Sequence, residues 1–140
     1  MITIFCDKIP RSIKAKWELE KVLDVKIFIK GRDVTIDGTP ENEFIAEQVI
    51  EAIDMGFPFK NAIMIKEDDF MFEKVNIKEY TKKTDFERIR ARIIGKNGKA
   101  LKTLVSLTNC FFEIKNNVVG IVGPPEWIKN AQEAIILLVK

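Results

Sequence analysis

Apolar residues along this chain change their spacing at intervals, and those changes mark out the elements. Alternating or continuous apolar runs predict strands at Ile2 to Phe5, Val25 to Ile29, Val34 to Ile36, Phe70 to Ile77, Cys110 to Ile114 and Val118 to Val122. Helical spacing fills the gaps. Ile45, Val49, Ile50 and Ile53 recur on one face of a helix opened by Pro40, as Ile128, Ala131, Ile135 and Leu138 do behind Pro125. Proline is favoured just inside a helix start because its missing N–H would have had no partner there. Phe86, Ile89, Ile93 and Ile94 form a third helical face, preceded by Thr84-Asp85-Phe86-Glu87, which has the S/T-x-x-E form of a capping box with Thr84 as the cap. Leu101, Leu104, Val105 and Thr108 form a fourth, closed by Asn109, a residue that tolerates the left-handed conformation of a helix end.

The pattern occurs twice. Shifted by 85 positions, residues 25–53 lie on 110–138 without a gap, and nine of the 29 pairs are identical, among them Gly38 with Gly123, Pro40 with Pro125 and Glu41 with Glu126. Two copies of one supersecondary unit account for this better than chance. Each copy reads strand, helix or helices, strand, short turn, strand, then a long helix opened by Gly-x-Pro-Glu. This predicts an α+β fold with helices on one face of a small three-stranded antiparallel sheet. The expected division is a first unit over 1–56, a connecting segment over 57–68 marked by Gly56-Phe57-Pro58 and carrying a short helix from Phe59 to Ile65, and a second unit over 69–140.

The copies differ before their second strand. Ile9 to Asp24 leaves room for one helix, around Ser12 to Leu23, whereas the second copy has room for two, joined by Arg92-Ile93-Ile94-Gly95-Lys96-Asn97-Gly98-Lys99. Mapped back by 85, Gly95 to Gly98 falls on Pro10, Arg11, Ser12 and Ile13, so the first copy has no glycine turn. It is expected to serve packing or a partner, and at about 55 residues to lean on the second copy for stability.

Glycine at both ends of the turn lets the chain reverse sharply and lets another backbone approach, while the helix behind it offers unpaired N–H groups to phosphate oxygens. Spacing alone is weak evidence, since about one G-x-x-G arises by accident in a chain of this length. Charge strengthens it. Residues 1–70 carry 10 basic and 14 acidic side chains and residues 71–140 carry 13 and 7, so an overall net charge of +2 conceals a basic second half. Within 82–102 there are eight basic and two acidic side chains, and the coincidence of that cluster with the glycine turn points to nucleic-acid backbone.

The remaining chemistry is sparse. Cys6 and Cys110 match no C-x-x-C spacing and are expected as buried thiols in a reducing compartment, with no disulfide and no zinc. Histidine is absent, which removes the commonest general base and metal ligand. No P-loop signature and no nucleophile with a base occur, so an enzyme is not expected, and no cofactor or metal is called for. Asp7 and Lys8 interrupt any signal-peptide core, and the apolar run Ala134 to Val139 is too short to span a bilayer, which predicts a soluble cytoplasmic protein.

Ile94-Gly95-Lys96-Asn97-Gly98, a following helix, two strands with a short turn, and Gly123-Pro124-Pro125-Glu126 before a last helix together resemble a type I KH domain. Val75-Asn76-Ile77-Lys78-Glu79-Tyr80 and Phe86 to Gly95 resemble one subgroup, the two-KH family of small-subunit ribosome-assembly proteins known as partner-of-Nob-one or dimethylase-interacting proteins. On this resemblance the chain is two type I KH-like units, the first degenerate, and an archaeal member of the family. Archaeal relatives usually keep a glycine turn in the first unit, and this sequence does not.

The resemblance implies binding of single-stranded RNA near the 3′ end of small-subunit ribosomal RNA, in ribosome biogenesis and rRNA processing. It further implies contact with the nuclease that trims that end and with the alpha subunit of translation initiation factor two. A KH groove clamps the backbone of about four nucleotides in its G-x-x-G loop. The clamp falls on Gly95, Lys96, Asn97 and Gly98, with Arg92 and Lys99 in reach of phosphates, Ile94 and Leu101 as part of an apolar floor, Phe111 to Ile114 as the other edge, and Lys102, Arg88 and Arg90 as further cations. For Ile94, Phe112 and Ile114 core burial competes with ligand contact. Two other readings stay open: a protein adaptor in the same pathway, and a KH module for another single-stranded RNA or DNA.

Overall fold

In a computed structural model that describes residues 1–8 and 13–140, six strands pair into two separate three-stranded antiparallel sheets. The chain divides into two units, Met1–Glu67 and Asp68–Lys140. The first contains β1 (Ile2–Phe5), α1 (Ile13–Leu23), β2 (Lys26–Lys30), β3 (Asp33–Asp37), α2 (Pro40–Met55), α3 (Phe59–Ala62) and α4 (Met64–Glu67). The second contains β4 (Met71–Asn76), α5 (Phe86–Ile94), α6 (Lys99–Thr108), β5 (Phe111–Lys115), β6 (Val118–Gly123) and α7 (Pro125–Val139), with 3-10 turns at Ile77–Glu79 and Lys96–Gly98.

The sheets share one topology, with the last strand central: β1-β3-β2 in the first unit and β4-β6-β5 in the second. They also share register, because Ile27 faces Ile36 as Phe112 faces Ile121, each pair 85 residues from its counterpart. Strand side chains alternate between faces. Ile27, Val34 and Ile36 are accordingly buried while Lys26, Phe28 and Lys30 are exposed. In the second unit Val75, Phe112, Val119 and Ile121 point into a core completed by Ile89, Ile93, Ile128 and Ile135 from the helices.

Gly38 and Gly123 are fixed by a close approach. A Cβ on Gly38 would lie 2.9 Å from Val25 Cγ1, and one on Gly123 would lie 2.2 Å from Cys110 Sγ and 2.9 Å from its Cβ. The same crossing is thus built twice, since 25 and 110 are also one repeat apart. The helices behind these glycines begin as the prolines predict. Thr39 caps α2 by accepting from the Asn42 N–H at 3.2 Å, whereas Pro124 gives α7 no side-chain cap.

Three sequence expectations need adjustment. Thr84 is not the cap of α5: Asp85 accepts from the Arg88 N–H at 3.1 Å, while the Thr84 carbonyl is used by the Phe86 N–H. The segment after Gly56 forms α3 and α4, which pack against α2 within the first unit and bury Phe57, Ala62, Ile63 and Ile65. The single helix before β2 runs over Ile13–Leu23, and Pro10, Arg11 and Ser12, onto which the repeat maps most of the glycine turn, lie outside the described residues.

Candidate nucleic-acid interface

The glycine turn sits between two amphipathic helices, and its two glycines are required for different reasons. Gly95 ends α5 at φ 77°, ψ 172°, a region open in practice to glycine alone. Space forbids a side chain there as well, because a Cβ would lie 2.5 Å from Ala100 Cβ and 2.7 Å from the Ala100 nitrogen. Gly98 (φ 74°, ψ 13°) has open space around it and is needed only for its left-handed backbone. Asn97 is left-handed too, at φ 57°, ψ 27°. Short hydrogen bonds hold the reversal, from Gly95 N to Ala91 O at 2.8 Å and from Gly98 N to Gly95 O at 3.2 Å.

Lys96 and Asn97, at the tip of the turn, are both exposed, and so are Lys99 and Lys102 on α6. Gly98 supplies no side chain to cap α6, so the positive end of that ten-residue helix lacks a side-chain acceptor. The turn thus gathers exposed lysines, a helix start without a side-chain cap and two left-handed residues, Asn97 and Gly98, features that in general attract anions.

Beside the turn lies an open pocket of about 510 Å³ lined by Arg90, Ile94, Ile114, Asn116 and Asn117. Ile94 is 39% exposed although Ile93, its neighbour, is fully buried. Ile114 is half-buried, reaching both the core and the pocket, while Phe112 is a core residue at 6% exposure. Leu101 is half-buried and packs on the core. Of the expected floor, Ile94 lines the pocket and Leu101 does not, while the expected strand edge contributes Ile114.

The arginines divide. Arg92 donates from Nη1 to the Leu138 carbonyl at 3.1 Å, placing its charge at the negative end of α7. Arg88 pairs with Asp85 at 3.5 Å on the exposed first turn of α5. Arg90 reaches across to the β5–β6 turn and donates to Asn117 Oδ1 at 2.5 Å, with the Asn116 carbonyl at 3.5 Å. Asn116 and Asn117 were absent from the sequence-derived set. Asn116 carries the turn at φ 56°, the position held by Gly31 (φ 61°) in the first unit, so the repeat itself was the signal that this turn is built alike in both copies.

Both cysteines are buried and neither forms a disulfide, and burial pushes the Cys110 thiol pKa upward against a smaller opposing pull from Thr108. Among the described residues no group of three or more acidic, cysteine or histidine ligands gathers, and no helix is long and apolar enough to cross a membrane.

Comparison with known proteins fits this geometry. A KH domain-containing protein of Methanocaldococcus jannaschii (MJ0443) is 32% identical over 132 residues, which cover 89% of this chain. The matched region spans 58% of that relative's length. Dim2p from Pyrococcus horikoshii superposes with a TM-score of 0.85 at 24% identity, covering 100% of this chain and 92% of that one. A chain in the a/eIF2alpha–aDim2p–rRNA complex of the same organism does so with a TM-score of 0.87 at 24% identity, covering 99% and 84%. At that identity the structural likeness is one of fold. Residues 71–140, the unit that carries the glycine turn, match the family model of the second KH domain of PNO1, a eukaryotic type KH-domain (KH-domain type I), and the chain belongs to that family.

Proposed function

We propose that this chain binds single-stranded RNA through its second unit, and that it does so near the 3′ end of small-subunit ribosomal RNA as a ribosome-assembly and rRNA-processing factor. The observation that carries the reading is the turn from Gly95 to Gly98. It presents exposed Lys96 and Asn97 and the uncapped start of α6 beside a pocket walled by Ile94 and Ile114. In this role the turn clamps phosphates, Lys99 and Lys102 add attraction, and bases lie on the apolar wall. The role is binding, without catalysis. The rRNA and the initiation-factor alpha subunit in the complex named above support RNA and that subunit as partners; the nuclease that trims the 3′ end is proposed as a third on the sequence resemblance alone.

Fluorescence anisotropy with a single-stranded oligonucleotide from the 3′ end of small-subunit rRNA tests this. Wild type should bind, and the double variant Lys96→Asp, Asn97→Asp, shown by circular dichroism to be folded, should not. Equal binding by both would place the contact elsewhere. With three or four phosphates neutralised, log affinity should fall against log salt with a slope of roughly −2 to −3, at about −0.7 per phosphate.

A further inference from the structure

We propose that Arg90 and Asn117 form a base-reading subsite at the end of the groove away from the glycine turn, selecting a nucleobase with two adjacent hydrogen-bond acceptors. The inference rests on the RNA-binding reading above and names which bases that groove prefers.

Arg90 lies four residues before Ile94, so the two share a face of α5 with Arg90 about 6 Å further from the turn. Across the groove, Ile114 leads along β5 into Asn116 and Asn117. The bond from Arg90 Nη1 to Asn117 Oδ1 ties the helix to the hairpin, and these residues with Ile94 and Ile114 line one pocket. A guanidinium has five N–H donors and no acceptor. At most two of the five are used by Asn117 and the Asn116 carbonyl. Because the Asn117 oxygen is turned to Arg90, its NH₂ end is the part left to a ligand. The bond also holds the guanidinium fork in place before a ligand arrives, which lowers the entropy lost on binding.

A base resting on Ile94 and Ile114 would therefore meet an edge made of donors. Guanine offers O6 and N7 side by side, the pair that an arginine fork matches in two parallel bonds. Cytosine offers O2 and N3. Adenine sets its donor amine beside both N1 and N7 and leaves N3 alone on its third edge, so no two acceptors are adjacent, and uracil separates its two carbonyls with an N–H. The subsite should thus favour guanine and cytosine over adenine and uracil.

Anisotropy of the full chain with uridine dodecamers carrying one central guanine, cytosine, adenine or uracil reads this directly. Wild type should bind the guanine and cytosine strands about tenfold more tightly than the other two, within the range of one good bidentate base contact. Replacing the guanine with 7-deazaguanine should remove its advantage. Arg90→Lys and Asn117→Ala, each with a circular dichroism spectrum like wild type, should bind all four strands alike while keeping salt-dependent affinity. If the Arg90–Asn117 bond were only a strut, both variants would weaken every strand equally and leave the ratio intact, which overturns the proposal. Equal binding of all four strands by wild type overturns it while leaving RNA binding in place. Binding of none removes both.

Discussion

The first copy holds Gly31 and Arg32 where the second holds Asn116 and Asn117, and both turns start from a left-handed residue, at φ 61° and φ 56°. The backbone is thus preserved while the side chains have parted. In the first unit Arg32 pairs with Asp7 at 3.3 Å and lies over the Phe5 ring, which ties the turn back to its own sheet. In the second unit Asn117 instead takes a hydrogen bond from Arg90 on the helix that leads into the glycine turn. The difference teaches where to look for function in a repeated fold. Shared strands, shared register and shared crossings serve folding, and the places where the copies disagree are free to serve a ligand.

The sharpest way to break this comparison is at the glycines. Gly95→Ala forces a forbidden backbone and sets a methyl 2.5 Å from Ala100 Cβ, so strain and overpacking add to about 3 kcal/mol of lost stability. Gly31→Ala meets nothing within 4 Å and loses only the left-handed preference, about 1 kcal/mol. Urea titration of the two variants measures both values, and equal losses would contradict the distinction.

A smaller contrast separates the paired crossings. Gly123→Ala would press a methyl against Cys110, which is fully buried, and should cost about 2 kcal/mol, with part regained when Cys110→Ala is added. Gly38→Ala meets mainly the tip of Val25 beside an exposed loop and should cost less. Thermal melts of both single variants and the double variant decide this; absence of rescue would mean that the Cys110 sulfur is not the obstacle.

The smallest expected effect belongs to a pair found in the first unit. The Met1 amino group lies 2.7 Å from Glu43 Oε2, which also accepts from the Gly38 N–H at 3.0 Å. The hydrogen bond that the amine donates to Glu43 raises the amine pKa above its ordinary 8.0, and the same bond, helped by the one from the Gly38 N–H, lowers that of the Glu43 carboxyl below its ordinary 4.5. A raised amine pKa contributes stability that is complete below 8.0 and lost as pH climbs through the folded-state value. A lowered carboxyl pKa contributes stability that is complete above 4.5 and lost as pH falls through the folded-state value. Wild type should therefore exceed Glu43→Gln most between those limits, with the gap narrowing on either side. A gap constant from pH 3 to 10 would remove the pair from the account.

Much of the fold was legible because strand alternation, proline starts and the 85-residue repeat all marked the same elements. The glycine turn was legible because Gly95, Gly98 and Asn109 are residue types that announce special backbone. What escaped depended on neighbours far along the chain. Periodicity places Ile93 and Ile94 on adjoining parts of one helix face and does not say which of them is covered; the core takes Ile93 and leaves Ile94 in the pocket. Arg90, Arg92 and Arg88 look alike as exposed helix charges, yet Asn117, Leu138 and Asp85 give each a different task. The cap moved from Thr84 to Asp85 because one residue of phase is beyond what a four-residue motif can fix.

The contact between positions 95 and 100 reaches beyond this molecule. Since a Cβ at position 95 would lie 2.5 Å from Ala100 Cβ and 2.7 Å from the Ala100 nitrogen, the reversal is fitted against the first turn of α6 as well as shaped by its own glycines. An engineer transplanting the clamp onto another helix pair must therefore carry the hexapeptide Gly95 to Ala100, with its small last residue, because the four residues Gly95 to Gly98 are not the portable unit.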